Sequence, residues 1–365
     1  MANLKNIIVN DTGFVQYPTG TTAQRPVSPS EGAIRYNSTI NVAEFYNGTS
    51  WVAIDGKVRA TQSGAQDESN LSATHTIFTY LGSGSFTATT AGIIDYLIVA
   101  GGGSGGYYVG GGGGAGGYLE GSVYVPSGSY LITVGSGGSG ATNRPPTSAN
   151  AGGDSAIQSI TGLTAIGGGG GGSYNGYDGA DGGSAGGQGG PHVSETGFRR
   201  VPTTGQGSPG GRFLANRSGS PTNGSGGGGA GAAGGDELGA GYTGDGAQLS
   251  GGDGLQSWVC PYNYYYAGGG GGGAYNSSSP CQAGDGGLGG GAGGTTSSNA
   301  NTSRPGLGGQ GGFSRNPGAN GSGGDPVDGG SGGANTGGGG GGAGHFSSGD
   351  NGTGGSGIVI IRFRK

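Results

Sequence analysis

The sequence is dominated by glycine, which accounts for 104 of the 365 residues and is clustered at 101–106, 110–114, 167–172, 226–229, 268–273 and 337–342. Collagen needs glycine at every third position together with abundant proline, whereas here the glycine runs are continuous and prolines number only 15. A solvated linker lacks apolar anchors, but 18 Tyr, 9 Phe and 2 Trp are spread along this chain. The pattern therefore predicts a folded, rigid domain built largely from packed polyglycine, with disorder of residues 167–357 as the alternative.

Continuous glycine can form an extended left-handed helix with about three residues per turn and no internal hydrogen bonds. The N–H and C=O groups of such a helix must pair with neighbouring segments, and only glycine allows backbones to lie that close. The runs of six glycines at 167–172, 268–273 and 337–342 are predicted to be interior helices of a bundle. Because glycine loses more backbone entropy on ordering than any other residue, we expect the bundle to need a β-sandwich as an anchor.

Residues 1–57 are predicted to form a separate N-terminal module. Three short apolar-polar segments, 33–37, 42–46 and 50–54, are joined by turn residues that include Asn47-Gly48. Asn-Gly between such runs is a strong hairpin signal. A meander of this size cannot supply a core of its own, so we expect it to trimerise or to dock on another protein. Residues 58–75 are polar and are interpreted as a linker.

The remaining chain, 76–365, is predicted to be one glycine-rich domain of the all-β class with almost no α-helix. Segments with strand character recur between 76 and 166, separated by turn residues at the spacing of a β-sandwich. The last apolar segment, 357–363, is as apolar as 93–100 and needs a partner in the same sheet. Residues 167–356 are therefore interpreted as a polyglycine bundle inserted between sandwich strands.

Composition excludes several classes of function. A net charge of −5 argues against nucleic-acid binding, and no apolar run reaches the roughly 20 residues of a membrane span. His75, His192 and His345 are isolated and lie near no nucleophile signature, so we expect no enzymatic activity, no metal and no cofactor. Cys260 and Cys281 are candidates for a disulfide that staples a surface loop, with two reduced thiols as the alternative.

The non-glycine islands are the candidate binding residues, because they must form the turns at the ends of the bundle. Aromatic rings stack on sugars and dominate interface energetics, and arginines bind phosphate or carboxylate through forked hydrogen bonds. The aromatic candidates are Trp258, Tyr262, Tyr264, Tyr265 and Tyr266, and those of the basic island are Phe198, Arg199, Arg200, Arg212 and Phe213. The alternative is that these residues cap the bundle or pack between subunits.

Two parts of the sequence resemble known families. Residues 20–37, with the ending Glu-Gly-Ala-Ile-Arg-Tyr-Asn, and Glu44-Phe-Tyr-Asn-Gly-Thr-Ser-Trp-Val52 resemble a module that recurs in bacteriophage tail-fibre and other virion proteins. The passage from Asp95 to Tyr118 and the ending 354–363 resemble the start and finish of glycine-rich phage fibre domains. The chain is also similar to tip adhesins of T-even-like phages and to the glycine-rich region of the anaplastic lymphoma receptor kinase family.

These resemblances imply a jelly-roll or tumour-necrosis-factor-like sandwich that carries polyglycine II helices. They also imply a non-enzymatic phage fibre or tip protein, present in the virion and extracellular when it acts. Its loops would bind a host surface glycan or outer-membrane protein, and residues 1–57 would attach a trimer to other virion proteins. The alternative is a purely structural protein, such as a head fibre, a capsid decoration or a filament subunit.

Overall fold

The computed structural model describes residues 16–54, 57–68, 72–140, 149–174, 178–190, 199–213, 222–237, 246–276, 281–298, 304–309, 314–322, 328–345 and 351–365. These residues form an all-β structure with almost no helix. The strands are β1 Thr19–Gly20, β2 Ile34–Asn37, β3 Val42–Tyr46, β4 Trp51–Ala53, β5 Arg59–Ser63, β6 Gln66–Asp67, β7 His75–Tyr80, β8 Gly84–Thr90, β9 Gly92–Val99, β10 Tyr118–Val125, β11 Gly128–Thr133, β12 Ser155–Ile157, β13 Thr164–Ala165, β14 Thr222–Asn223, β15 Leu255–Gln256, β16 Tyr265–Tyr266, β17 Ala274–Asn276, β18 Thr296–Ser298 and β19 Ile358–Arg364. Short 3₁₀ turns lie at Thr22–Gln24 and Gly246–Leu249.

The N-terminal sheet has the order β1-β2-β3-β4, with β2, β3 and β4 antiparallel. The predicted Asn-Gly turn joins β3 to β4. Gly48 has a φ of +93°, and the Asn47 side chain accepts hydrogen bonds from the N–H groups of Thr49 and Ser50 at 3.0 and 2.8 Å. The three-stranded meander expected from the sequence is therefore present.

Two five-stranded sheets, β10-β9-β19-β7-β6 and β13-β12-β11-β8-β5, share one hydrophobic core. Alternation along the strands directs one face of each sheet inward, because successive side chains of a strand point to opposite sides. The buried residues of this core include Phe78, Phe86, Ile94, Ile98, Tyr130, Ile132, Ile157, Val359, Ile361 and Phe363. The edge strands β10 and β13 of the two sheets also approach each other, so that together the two sheets form a nearly closed β-structure. We call this pair of sheets the sandwich.

The C-terminal segment completes the first of these sheets. Strand β19 lies between β9 and β7 and is antiparallel to both, with Ile360 opposite Leu97 on one side and Thr79 on the other. The expected pairing of this apolar segment with the early strands is confirmed. The glycine-rich sequence is thus enclosed between strands that are neighbours in space.

The interpretation of residues 58–75 as a linker is wrong, because β5 and β6 lie within this range. Strand β5 pairs with β8, and β6 pairs with β7. Both are edge strands with a neighbour on one side only, and both residues of β6 are exposed, so a polar sequence is compatible with their positions. Ala60 and Ala65 are the small apolar side chains that pack against the core.

Backbone hydrogen bonds between remote segments organise the glycine-rich part, here called the glycine array. Along residues 110–117, successive N–H groups donate to three neighbouring segments in rotation. The N···O distances of these hydrogen bonds are 2.8–2.9 Å. The donor–acceptor pairs are Gly110–Ala343, Gly113–Gly340 and Gly116–Gly337 for the first neighbour, Gly111–Gly172, Gly114–Gly169 and Gly117–Ile166 for the second, and Gly112–Ser225 and Ala115–Gly228 for the third. A β-strand has a period of two, so this period of three marks a different backbone arrangement.

Close contact between backbones explains why these positions are glycine. A Cβ atom added to Gly113 would lie 2.2 Å from the carbonyl oxygen of Gly103, and one added to Gly270 would lie 2.1 Å from that of Gly340. Both distances are far below a permitted van der Waals contact. The array therefore excludes side chains at its interior positions by simple volume.

The array is attached to one end of the sandwich. Strands β9, β11 and β13 lead into it, and β10, β12 and β19 begin where it ends. The array is also larger than the predicted bundle 167–356, because residues 101–117, 135–138 and 149–153 contribute hydrogen-bonded segments. Within the described ranges, no helix has the length and apolar character needed to cross a bilayer.

Candidate functional site

The aromatic island forms a hairpin, residues 255–266, in which β15 pairs with β16. The hairpin packs on the outer face of the sheet that contains β19, where Val259, Cys260 and Tyr266 contact a cluster that includes Leu97 and Ile360. Tyr266 is fully buried, and burial raises the pKa of its phenol well above the ordinary value. The structure thus assigns Tyr266 to packing rather than to an exposed binding surface.

A single carboxylate, that of Glu120, holds the hairpin turn. Its Oε1 accepts hydrogen bonds from Ser257 Oγ at 2.6 Å and from the N–H groups of Trp258 at 3.0 Å and Val259 at 3.2 Å. Its Oε2 accepts a hydrogen bond from Tyr118 Oη at 2.9 Å. Burial and the neighbouring Glu120 charge raise the pKa of the Tyr118 phenol, so Tyr118 remains a proton donor in this network.

An arginine from β19 holds the other side of the same turn. Arg362 Nη1 donates to the carbonyl oxygen of Trp258 at 2.8 Å, and its guanidinium lies 5.0 Å from the centroid of the Trp258 ring. Arg362 Nη2 also forms a 2.9 Å ion pair with Asp95. The Trp258 backbone and ring are therefore both held by groups on the sandwich.

The exposed part of the hairpin is aromatic. Trp258 is 49% exposed and Tyr262 is 45% exposed, and the Tyr262 and Tyr264 rings lie 5.2 Å apart. Tyr264 and Tyr265 are half-buried. Tyr265 also forms a β-bridge with Ser314, so the accessible surface is formed mainly by Trp258, Tyr262 and Tyr264. We call these three residues the aromatic surface.

Glu120→Ala is expected to loosen this hairpin. Removing the carboxylate leaves the Trp258 N–H without its acceptor and leaves the Val259 N–H with Ser257 Oγ alone, at 3.2 Å. Loss of a hydrogen bond to a charged group costs about 2 kcal/mol. Hydrogen exchange at these two amides should accelerate by at least about tenfold, while exchange in the N-terminal sheet stays unchanged. Glu120→Gln, which retains one acceptor oxygen, should show a smaller effect. Equal protection of the two amides in the wild type and in Glu120→Ala would contradict the assigned role.

The structure pairs the arginines of the basic island within the chain. Arg199 forms a 2.6 Å ion pair with Asp236, and Arg212 Nε lies 4.0 Å from the same carboxylate. Arg200 forms a 2.6 Å ion pair with Asp178. Two carboxylates therefore offset three guanidinium groups, which weakens the island as an anion site.

Of the two phenylalanines of the basic island, the structure describes only Phe213. Phe213 is buried, and its N–H donates to Gln188 Oε1 at 2.7 Å. It therefore packs inside the array and is not available to a ligand, contrary to its prediction as a binding candidate. Phe198 lies outside the described residues.

The predicted disulfide is absent. Cys260 is buried in the cluster under the hairpin, where Tyr266 Oη donates to its Sγ at 3.5 Å. Cys281 is buried in a separate cluster with Leu249, Ala274 and Ala283. Because apolar packing keeps the two thiols in different clusters, the hairpin is held by Glu120 and Arg362 instead of a covalent staple.

A second aromatic group, which the sequence analysis missed, lies at the end of the array away from the sandwich. Tyr108 Oη and His345 Nε2 lie 2.5 Å apart, the Tyr275 ring stacks on His345 at 3.9 Å, and Tyr174 meets Tyr108 edge-on at 4.6 Å. These residues are remote in sequence. One feature of the sequence could have predicted this group: each of the four residues follows a glycine-rich run of similar length. Runs of equal length that lie side by side end at the same level, so the residues that follow them lie close together.

In the part of the chain that the structure describes, no group of three or more His, Cys, Asp and Glu side chains is arranged to hold a metal.

A family model described as a glycine-rich domain matches residues 79–325, which is more than half of the chain. None of the curated proteins compared with the sequence matches it.

Proposed function

We propose that this chain, which belongs to the glycine-rich domain family, is a non-enzymatic phage fibre or tip protein that binds a host cell-surface receptor. The proposed architecture is a jelly-roll or tumour-necrosis-factor-like sandwich with an inserted bundle of polyglycine II helices. The three-residue rotation of hydrogen bonds along 110–117 supports the polyglycine II assignment, because that helix has three residues per turn.

The observation that carries the proposed activity is the exposure of aromatic rings on a hairpin whose backbone is fixed. Trp258 and Tyr262 are each nearly half exposed, whereas the turn between them is held by Glu120 and Arg362. Rigid, exposed aromatics bind with little loss of conformational entropy, which is why they dominate many interfaces. A surface glycan or the loop of an outer-membrane protein offers the sugar or apolar face that such rings bind.

The rest of the proposal concerns assembly. Residues 1–57 would attach the protein to other virion proteins, and a homotrimer is the proposed oligomer. The protein would be part of the virion and act outside the cell. The small N-terminal sheet supports an attachment role, since a sheet of four short strands gains stability from packing on a partner.

Trp258→Ala combined with Tyr262→Ala is expected to lower the affinity for a susceptible bacterial strain by at least about tenfold, as removal of an aromatic hot spot does. The unfolding midpoint should change little, because both rings are about half exposed and neither belongs to the buried cluster under the hairpin. Cell attachment of the labelled full-length protein is the measurement. The control is Leu131→Ala, which removes an exposed apolar side chain from the other sheet. Unchanged attachment of the double variant would overturn the assignment of the aromatic surface.

A second candidate function is purely architectural: a head fibre, a capsid decoration or a subunit of a filament. This function is favoured by the ion pairs that Arg199 and Arg200 form with carboxylates of the same chain. It is also favoured by the burial of Phe213 and Tyr266, because all four candidates then stabilise the fold itself. Binding of the wild-type protein to susceptible cells, but not to receptor-deficient mutants, would support the receptor-binding function. Absence of binding to any strain, with the protein present in purified particles or filaments, would support the architectural one.

A further inference from the structure

The hairpin 255–266 carries uncharged polar groups beside its exposed aromatic rings. Gln256 and Asn263 are both exposed, and Gln256 Nε2 donates across the hairpin to the carbonyl oxygen of Asn263 at 2.8 Å. Asn263 has a φ of +53°, a left-handed conformation that asparagine adopts more readily than most residues. Each of the two side-chain amides therefore lies within two residues of an exposed ring along the chain.

The ionised groups beneath the hairpin are paired inside the protein. Each guanidinium nitrogen of Arg362 donates within the chain, because Nε and Nη2 donate to Asp95 and Nη1 donates to the Trp258 carbonyl oxygen. The other oxygen of Asp95 accepts from Ser122 Oγ at 2.6 Å. Both oxygens of Glu120 accept hydrogen bonds as well. These groups are therefore committed to the fold and do not serve as counterions for a charged ligand.

The remaining charges around the hairpin also disfavour an anion. No Asp, Glu, Lys or Arg occurs from 254 to 284, and Asp253, two residues before β15, is an exposed carboxylate. Arg315 follows the residue that bridges to the hairpin, but it is paired with Glu68 at 3.1 Å. Like charges brought together at an interface are costly. An acidic sugar or a phosphate group would therefore meet a like charge here and gain no ion pair.

Amides and aromatic rings together suit a ligand rich in hydroxyl groups. A side-chain amide presents a donor and an acceptor side by side, and a hydroxyl group is also both a donor and an acceptor. Carboxylate and phosphate groups are bound most strongly by cations instead. Aromatic rings supply the large apolar contact that the face of a sugar ring needs, and the Tyr262 and Tyr264 rings lie side by side, 5.2 Å apart.

We propose that the aromatic surface binds an uncharged saccharide, a glycan whose recognised segment has no carboxylate or phosphate. This inference rests on the proposed receptor-binding function and names the class of receptor. Trp258 and the pair of Tyr262 and Tyr264 would stack on sugar rings. The amides of Gln256 and Asn263 would bind the hydroxyl groups. Because Trp258 and Tyr262 are four residues apart, their Cα atoms are separated by at most about 14 Å, so one short glycan segment reaches both.

Surface polysaccharide released from a susceptible strain is the probe, separated by ion exchange into an uncharged and an anionic fraction. Each fraction competes with the attachment of labelled full-length protein to the same cells. The uncharged fraction should inhibit attachment, and the anionic fraction should be at least about tenfold weaker at equal sugar concentration. The affinity for the uncharged fraction, measured by titration calorimetry, should be the same at about 0.05 and 0.5 M NaCl, because salt screens only charge interactions.

Asn263→Gly tests the contribution of the amide. Glycine keeps the left-handed backbone of this position and removes only the side chain, so the affinity for the uncharged fraction should fall about fivefold, the effect of one hydrogen bond. The matched control is Asn41→Gly, the same change at an exposed asparagine with a φ of +51° between β2 and β3. Equal affinity of the two variants for the uncharged fraction would contradict the proposed site.

The competition experiment separates this inference from the proposed function. Preference for the anionic fraction, or an affinity that falls steeply with salt, would overturn the inference. Attachment that neither fraction inhibits and that protease treatment of the cells abolishes would also overturn it. In that case the receptor-binding function would stand, with a protein as the receptor. Failure of the protein to attach to any strain would overturn the proposed function and this inference with it.

Discussion

Gly113→Ala is expected to lower the free energy of unfolding by at least about 3 kcal/mol, the upper range for overpacking a filled interior. The added methyl would lie 2.2 Å from the carbonyl oxygen of Gly103. That oxygen cannot move away freely, because it already accepts the N–H of Gly340 at 2.9 Å. Gly113 is itself bonded on both sides, donating to Gly340 and accepting from Gly270. The clash therefore breaks a network rather than one contact.

Denaturant unfolding followed by circular dichroism measures this effect. The matched control is Gly82→Ala, at a turn between β7 and β8, where an added Cβ would meet no atom within 4 Å. Both variants reduce the backbone freedom of the unfolded chain in the same way, so their difference isolates packing in the array. Equal unfolding midpoints for the two variants would show that residues 110–117 are not closely packed.

Glu44→Gln is expected to destabilise the N-terminal sheet by about 3 kcal/mol, the lower range for breaking a buried ion pair. Glu44 is fully buried, pairs with Arg25 at 2.6 Å, and lies 3.8 Å from Arg35. Asn37 Nδ2 donates to both of its oxygens at 3.2 and 3.1 Å. Loss of the charge leaves the partly buried arginines without their counterion.

The same carboxylate makes the N-terminal sheet sensitive to acid. Burial raises the pKa of Glu44, but hydrogen bonds from Arg25 and Asn37 and the charges of Arg25 and Arg35 outweigh burial and lower the pKa below 4.5. A lowered pKa in the folded state contributes stability that is complete above 4.5 and is lost as the pH falls through the folded-state value. The Glu44→Gln variant should lack this dependence.

Trp51 fluorescence reports on this sheet, because the ring is buried within it. A Trp258→Phe background leaves Trp51 as the only tryptophan, since the chain has 2. The control is Glu31→Gln, which changes an exposed glutamate of the same module. If Glu31→Gln and Glu44→Gln gave the same unfolding curve and the same response to acid, the ion pair would not stabilise the sheet.

The strands that the sequence predicted correctly are those with a strong local pattern. Apart from Asp95 and Arg362, the segment 93–100 and the C-terminal segment 357–363 are strongly apolar. Such segments are typical of strands that lie between other strands, and β9 and β19 are neighbours in the interior of one sheet. The turn at Asn47-Gly48 was also predicted correctly, from the Asn-Gly pair between two strand-like segments. Strands β5 and β6 were missed because edge strands tolerate polar residues and differ little from a linker in sequence.

The candidate site was predicted only in part. The aromatic island is a surface element, as expected, but it lies against the sandwich, and Tyr266 is used as a core residue. The groups that hold it are remote: Glu120 is 138 residues from Trp258, and Arg362 is 267 residues from its partner Asp95. No local pattern indicates pairs at such separations.

The sequence by itself determined the class of backbone packing, because excluding side chains from a close contact is a property of each glycine and needs no knowledge of its neighbours. It also determined the strands whose apolar faces must be buried. Only the tertiary structure decided which segments meet, since the same backbone groups of any glycine run can pair with any other. The strand ends of the sandwich fix that choice, and with it the separation of Cys260 from Cys281 and the contacts of Glu120 and Arg362 that hold Trp258.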